Sequence, residues 1–270
     1  MRFATWNINS VRARQARLLD WLARSDVDVL AVQETKVTDD KFPIEPIAEL
    51  GYDVAHHGFS QWNGVALISR IGIDNVRRGF PGMPMFGESP DPEARAIGAT
   101  CGGIDIWSLY VPNGRAVGDP HYDYKLGWLA ALGRYVASEL ATDPAGQLLL
   151  CGDFNIAPAD DDVWNVEAFQ GSTHVSIPER SAFQELLGRG LTDVVRPFQP
   201  GPGVYTYWDY QRLRFARREG MRIDFALASA ALAGRVTGAT IDRQERKGKG
   251  ASDHAPVIVE LAGALLAGAE

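Results

Sequence analysis

Gln147-Leu148-Leu149-Leu150-Cys151-Gly152-Asp153-Phe154-Asn155 runs from four apolar residues straight into a glycine, a carboxylate and an amide. An apolar run this short, closed by turn-forming residues, reads as a buried strand. Alone, Asp153 and Asn155 fit an ordinary turn or helix cap. Working outward, the same grammar recurs. Thr5-Trp6-Asn7 closes an apolar stretch at 2–6, Gln33-Glu34-Thr35 closes one at 27–33, and Ser252-Asp253-His254-Ala255-Pro256 precedes one at 257–261. Strand ends that carry Asn7, Glu34, Asp153, Asn155, Asp253 and His254 are able to face one pocket, which unrelated turns would not do.

The spacing predicts a helix over 12–24 between the first two strands, a βαβ order. Further strands are predicted at 65–69, 96–101, 104–110 and 223–228. Leu129, Leu132, Val136 and Leu140 fall at intervals of three and four, one face of a second helix. Two strands within 96–110, with no helix between them, argue for mixed sheets and against a purely parallel one. Pattern alone gives the α/β class.

With 270 residues and 46% hydrophobic content the chain can bury one large core. One domain is expected over 1–261, with loops at 80–92 and 197–203 and a frayed tail at 262–270. Cys101 and Cys151 lie in apolar strands and read as free buried thiols. No secretory apolar segment follows Met1 and no stretch is long enough to span a bilayer, so a cytoplasmic protein without membrane contact is expected. The net charge of -7 does not favour a nucleic acid, but four of the acids, Glu34, Asp153, Asp224 and Asp253, are site candidates. Setting them aside and adding a divalent ion brings the chain close to neutral. Arginines 212, 214, 217 and 218, and Arg243, Arg246, Lys247 and Lys249, form two basic clusters, which read either as solvated loops or as contacts to phosphates.

Carboxylate and amide oxygens suit a hard cation. Glu34 is the best single magnesium ligand, with Asn7 and Asp253 as partners, directly or through water. Taken with Trp62-Asn63-Gly64-Val65-Ala66, Leu109-Tyr110-Val111-Pro112-Asn113-Gly114, Tyr205-Thr206-Tyr207-Trp208-Asp209-Tyr210 and Gly220-Met221-Arg222-Ile223-Asp224, these motifs make the chain resemble the exonuclease III family of abasic-site endonucleases. The resemblance is to its bacterial branch, within the DNase I-like endonuclease/exonuclease/phosphatase group, and runs from residue 1 to about 261. It implies a four-layer sandwich of two mixed β-sheets flanked by helices. It also implies a magnesium-dependent monomer, with manganese as a substitute ion and no other cofactor.

The implied activity is hydrolysis on the 5′ side of abasic sites in duplex DNA, with 3′-to-5′ exonuclease action and removal of 3′-blocking phosphates and phosphodiesters. Asn7, Glu34, Asp153, Asn155, Asp253 and His254 would surround the metal. Tyr110, Asp153, Asn155, Asp224 and His254 would form the catalytic set. Asp153 would activate water or protonate the leaving group, Asn155 would position the phosphate, and Asp224 would bond the His254 ring. His254 would be a cationic phosphate contact or a base, with the cation favoured; Tyr110 would bond the phosphate or, with a lowered pKa, transfer a proton. Asn113 and Lys125 would touch DNA phosphates, while Tyr207, Trp208, Met221 and Ile223 would line an apolar pocket for an extruded, baseless deoxyribose. Some relatives carry leucine or a larger aromatic where Met221 stands. The alternatives are a relative acting on another phosphoester and a nucleic-acid-binding protein without catalysis.

Overall fold

The computed structural model describes residues 1–87 and 93–263. Part of the expected 80–92 loop and most of the expected 262–270 tail lie outside these residues. The strands are β1 (Arg2–Asn7), β2 (Val29–Gln33), β3 (Asp53–His57), β4 (Val65–Ser69), β5 (Asp74–Arg78), β6 (Ala96–Cys101), β7 (Ile104–Tyr110), β8 (Leu148–Asp153), β9 (Leu191–Asp193), β10 (Asp224–Ser229), β11 (Val236–Ile241) and β12 (Val257–Leu261). They form two six-stranded sheets, in the orders β11-β12-β1-β2-β4-β3 and β5-β6-β7-β8-β10-β9. Each sheet holds one parallel pair, β1 with β2 and β7 with β8. Helices α1 (Val11–Ser25) and α2 (Pro120–Thr142) make the two crossovers, and α3 (Ile177–Leu187) packs beside α2.

Strict alternation along each strand separates the layers. Phe3, Val29, Ala31 and Leu67 of the first sheet meet Ile104, Ile106, Leu149, Cys151 and Ala226 of the second. The residues between them face outward: Ala4, Trp6, Leu30 and Val32 pack under Leu18, Trp21 and Leu22 of α1. Trp107, Leu109, Leu150 and Phe225 pack under α2 and α3. Four layers result, helix, sheet, sheet, helix. Burying each leucine-sized side chain stabilises this stack by about 1.5–3 kcal/mol. Among the described residues no helix is long and apolar enough to cross a membrane. Both cysteines are free, and burial pushes their thiols up, Cys101 to about 11 and Cys151 to about 12.

Toward one end of the sandwich the inward face turns polar without losing its period. Thr5, Gln33 and Ser108 form a buried layer in which Gln33 Nε2 donates to Ser108 Oγ at 2.9 Å and Ser108 Oγ donates to the Val32 carbonyl at 2.9 Å. One inward step further stand Asn7, Tyr110, Asp153 and Asp224; the register sets Tyr110 and Asp224 on either side of Asp153. Gly152 permits this approach. Its φ is +143°, and a Cβ at that position would stand 1.9 Å from the Leu109 carbonyl oxygen. Gly152→Ala is therefore expected to lower the unfolding free energy by on the order of 3 kcal/mol, read as a shifted urea midpoint.

Candidate active site

Asp153 ends β8 with 1% of its surface exposed. Its Oδ1 accepts from the Asn155 backbone N–H at 2.9 Å and its Oδ2 from Asn7 Nδ2 at 3.0 Å. The same Asn7 Nδ2 donates to Glu34 Oε1 at 2.8 Å, so one amide bridges two carboxylates. Asn7 Oδ1 is held by the backbone N–H of Asn9 at 3.0 Å. The Asn7 nitrogen thus faces the two carboxylates, and its oxygen faces the Asn9 backbone. Burial pushes Asp153 up, His254 pulls it down, and Asp224 with Glu34 push it up again, to about 7. Glu34 goes the other way. Burial opposes its ionisation, but Lys36 Nζ at 2.7 Å and Asn7 hold it below the usual range.

His254 Nδ1 lies 2.8 Å from Asp224 Oδ2, and its Nε2 lies 3.8 Å from Asp153 Oδ2. Burial alone would deprotonate the ring. Asp224, with Asp153 and Asp253 behind it, more than offsets that and raises it to about 10. With Asp224 on one ring nitrogen and Asp153 near the other, the surroundings of His254 favour its cationic form. Burial, with Glu34 and Asp153 adding to it, keeps the Tyr110 phenol well above its ordinary pKa, which makes it a donor and rules out an easily formed phenolate.

One donor atom each from Glu34, Asp153 and His254 lie within 4.8 Å of one another. With His254 protonated, two carboxylates remain, joined by the Asn7 amide and carrying excess negative charge. Magnesium commonly binds through one or two carboxylates and keeps several waters, so this donor set fits a hard divalent ion. Asp253 stands outside the group, its Oδ1 accepting from Asn9 Nδ2 at 3.0 Å. Asn155 is used at both ends, donating to the Val111 carbonyl at 3.0 Å and accepting from Asn113 Nδ2 at 3.1 Å.

Lys125 is placed differently from expectation. It is fully buried, paired with Glu179, and donates to the carbonyls of Asn155 at 2.6 Å and Asn113 at 3.2 Å. It cannot reach a DNA phosphate; it fixes the backbone of two residues that face the site. Sequence reasoning overlooked His174. This ring is half-buried, is 3.3 Å from Asn155 Oδ1, and is pushed down to about 3 by desolvation and by Lys125, so it is neutral.

A cavity of about 320 Å³ opens beside Asp153's neighbours, lined by Tyr207, Met221, His174, Trp164 and Phe169. Trp208 does not line it. At 1% exposure that ring is packed against Tyr205 and Ala255, and Ile223 is buried behind Met221. Trp164 takes the place expected of Trp208; it lies in a polar stretch with no strand signal. The basic clusters also divide. Arg214 and Arg217 pair with Glu219, and Arg246 donates to the Trp208 carbonyl at 3.0 Å. Arg212, Arg218, Lys247 and Lys249 are exposed.

Residues 4–254 match the model of the endonuclease/exonuclease/phosphatase family. Exodeoxyribonuclease III of Haemophilus influenzae is 32% identical, with 97% of this chain and all of that protein covered. The 3′ phosphatase NExo from Neisseria, solved with a product DNA hairpin, superposes with a TM-score of 0.92 at 38% identity, covering 97% of this chain and all of that one. An AP endonuclease from Archaeoglobus fulgidus gives 0.90 at 33% identity, covering 97% and 99%. The two facing sheets and the carboxylate cluster at their open end are those of a metal-dependent phosphoesterase family. The chain belongs to the endonuclease/exonuclease/phosphatase family, among its exonuclease III and AP endonuclease members.

Stability should report the site's charges. Asp153, raised from an unfolded value near 3.9, holds a proton in the folded state that the unfolded chain has lost, so stability falls as pH rises between about 4 and 7. His254, raised from about 6.5, contributes stability that is complete below that pH and is lost as pH climbs through about 10. In chelator, urea midpoints should decline across both windows; Asp153→Asn should flatten the lower one, and a divalent ion should do the same by replacing the proton. Lys125→Met should cost about 3 to 5 kcal/mol by stranding Glu179, and adding Glu179→Leu should recover most of it in the same urea titration.

Proposed function

We propose that the chain is a hydrolytic DNA-repair nuclease that cleaves phosphodiesters 5′ to abasic sites and clears blocked 3′ ends, with magnesium held between Glu34 and Asp153. The observation that carries this is the buried Asp153, poised near neutral pH between Asn7 and a cationic His254, whose ring packs on Tyr207 of the cavity wall. A group with a pKa near the working pH is the best placed to take a proton from water or give one to the leaving oxygen. When bound, the ion supplies charge neutralisation on the phosphoryl oxygens.

The protein groups provide the rest. His254, kept cationic by Asp224, stabilises negative charge developing on the phosphate, and Tyr110 donates a hydrogen bond to it. Tyr207, Met221, Trp164 and Phe169 offer apolar walls to a flipped sugar, and a nucleotide without a base flips at least cost. The exposed Arg212, Arg218, Lys247 and Lys249 would hold the duplex in a salt-dependent way. A monomer in the cytoplasm, formed by one domain over 1–261, belongs to the same reading.

One feature favours a second reading within it. His174 stands in the cavity against Asn155, where it narrows the space for an internal abasic sugar and leaves a 3′ end the easier substrate. Three end-labelled duplexes test both: one with an internal abasic analogue, one with a 3′-phosphate, one intact. Magnesium-dependent processing of the first two, abolished by chelator and reduced at least 100-fold in Glu34→Gln, is the expected result. A His174→Ala protein should shift the ratio toward internal incision if the second reading holds. Binding without cleavage of any duplex would overturn both.

A further inference from the structure

Glu34 sits in a turn that its own backbone does not favour. Glu34 and Lys36 both adopt left-handed conformations, at φ +53° and +55°, a region that side chains other than glycine's disfavour. Something between them must hold the turn. Thr35 is fully buried, its N–H donating to the Gly64 carbonyl at 3.1 Å, and its hydroxyl lies 2.8 Å from His56 Nε2. Gly64 leaves just enough room, since a Cβ there would stand 2.0 Å from Thr35 Oγ1. On its other side, His56 Nδ1 lies 2.8 Å from Asp39 Oδ1, and that oxygen also accepts from the Gly58 N–H at 2.8 Å. Phe42 stacks on the imidazole at 4.3 Å and fixes the ring plane.

We propose that Asp39, His56 and Thr35 are a positioning relay for Glu34. Asp39 accepts a hydrogen bond from His56 Nδ1–H and so selects the tautomer in which Nε2 is unprotonated. That nitrogen accepts the Thr35 hydroxyl, and the anchored Thr35 holds the Glu34 carboxylate at its place beside Asn7. A carboxylate, histidine and hydroxyl in this order resemble a nucleophilic triad, but a hydroxyl with no exposed surface cannot attack a substrate. Its use is to aim the neighbouring residue. The inference rests on Glu34 holding the ion in the reading above, and partners one step behind a ligand are typically worth 10- to 100-fold in metal affinity.

Manganese binding, followed by the loss of free-ion paramagnetic resonance signal without any DNA present, is the test. Thr35→Val, which keeps the shape and removes the hydroxyl, should bind manganese 10- to 100-fold more weakly than the wild type, while Thr35→Ser should stay close to wild type. In turnover, Thr35→Val should lose kcat at limiting metal with KM for DNA little changed. Asp39→Ala, whose side chain is half exposed, should weaken manganese binding in the same direction, and serves if Thr35→Val does not fold. Unchanged manganese affinity in a folded Thr35→Val or Asp39→Ala protein overturns the relay alone. Wild-type binding that Glu34→Gln leaves intact removes the metal assignment and the relay together.

Discussion

Negative charge confined at the open end of a dry interlayer sets the terms for this molecule. Asp153 and Asp224 project from adjacent strands into the space between two sheets, and Glu34 approaches from the facing sheet. The two aspartates are shut off from water and Glu34 is only partly exposed, and unpaired buried carboxylates are costly. The protein compensates with the Asn7 amide bridging Asp153 and Glu34, with Lys36 on Glu34, and with a protonated His254 between the two aspartates. The compensation is incomplete, and the surplus charge raises the proton affinity of Asp153 toward neutral pH and leaves a donor set that fits a hard cation.

The same pressure shapes the backbone. Glu34 and Asn155, which directly follow β2 and lie two residues beyond Asp153, both take left-handed conformations. In each case buried polar side chains one step away supply the restraint, Thr35 in the first and Lys125 through the Asn155 carbonyl in the second. Strain of this sort concentrates at functional sites, where surrounding structure holds it in place.

The elements that build the core were readable from residue pattern. Strands at 65–69, 96–101, 104–110 and 257–261 fall where their apolar runs place them, since both faces of those strands are buried. The edge strands β5 and β11 escaped because their sequences, Asp-Asn-Val-Arg-Arg and Val-Thr-Gly-Ala-Thr-Ile, face water along much of their length and carry little hydrophobic signal. Motifs located the carboxylates and His254, but side-chain direction was beyond them. Nothing in the order Tyr207-Trp208 says which ring turns inward, and Lys125 reads as any helix lysine until Glu179, far away in sequence, is brought against it. Likewise an amide can face a site with its oxygen or its nitrogen, and only the Asn9 N–H decides this for Asn7.

The placement of β12 has a consequence for how the protein is made. That strand lies between β1 and β11, so the first strand of the chain has one of its two neighbours only after residue 261 has been synthesised. The segment leading into β12 also brings His254 to Asp224. Once Asp153 is made, a growing chain would therefore carry Asn7, Glu34 and Asp153 for about a hundred further residues without the cation that faces them and with an open edge on β1. Hydrolytic competence and closure of the first sheet would arrive together, late in synthesis, because one segment supplies both the cation and the missing strand.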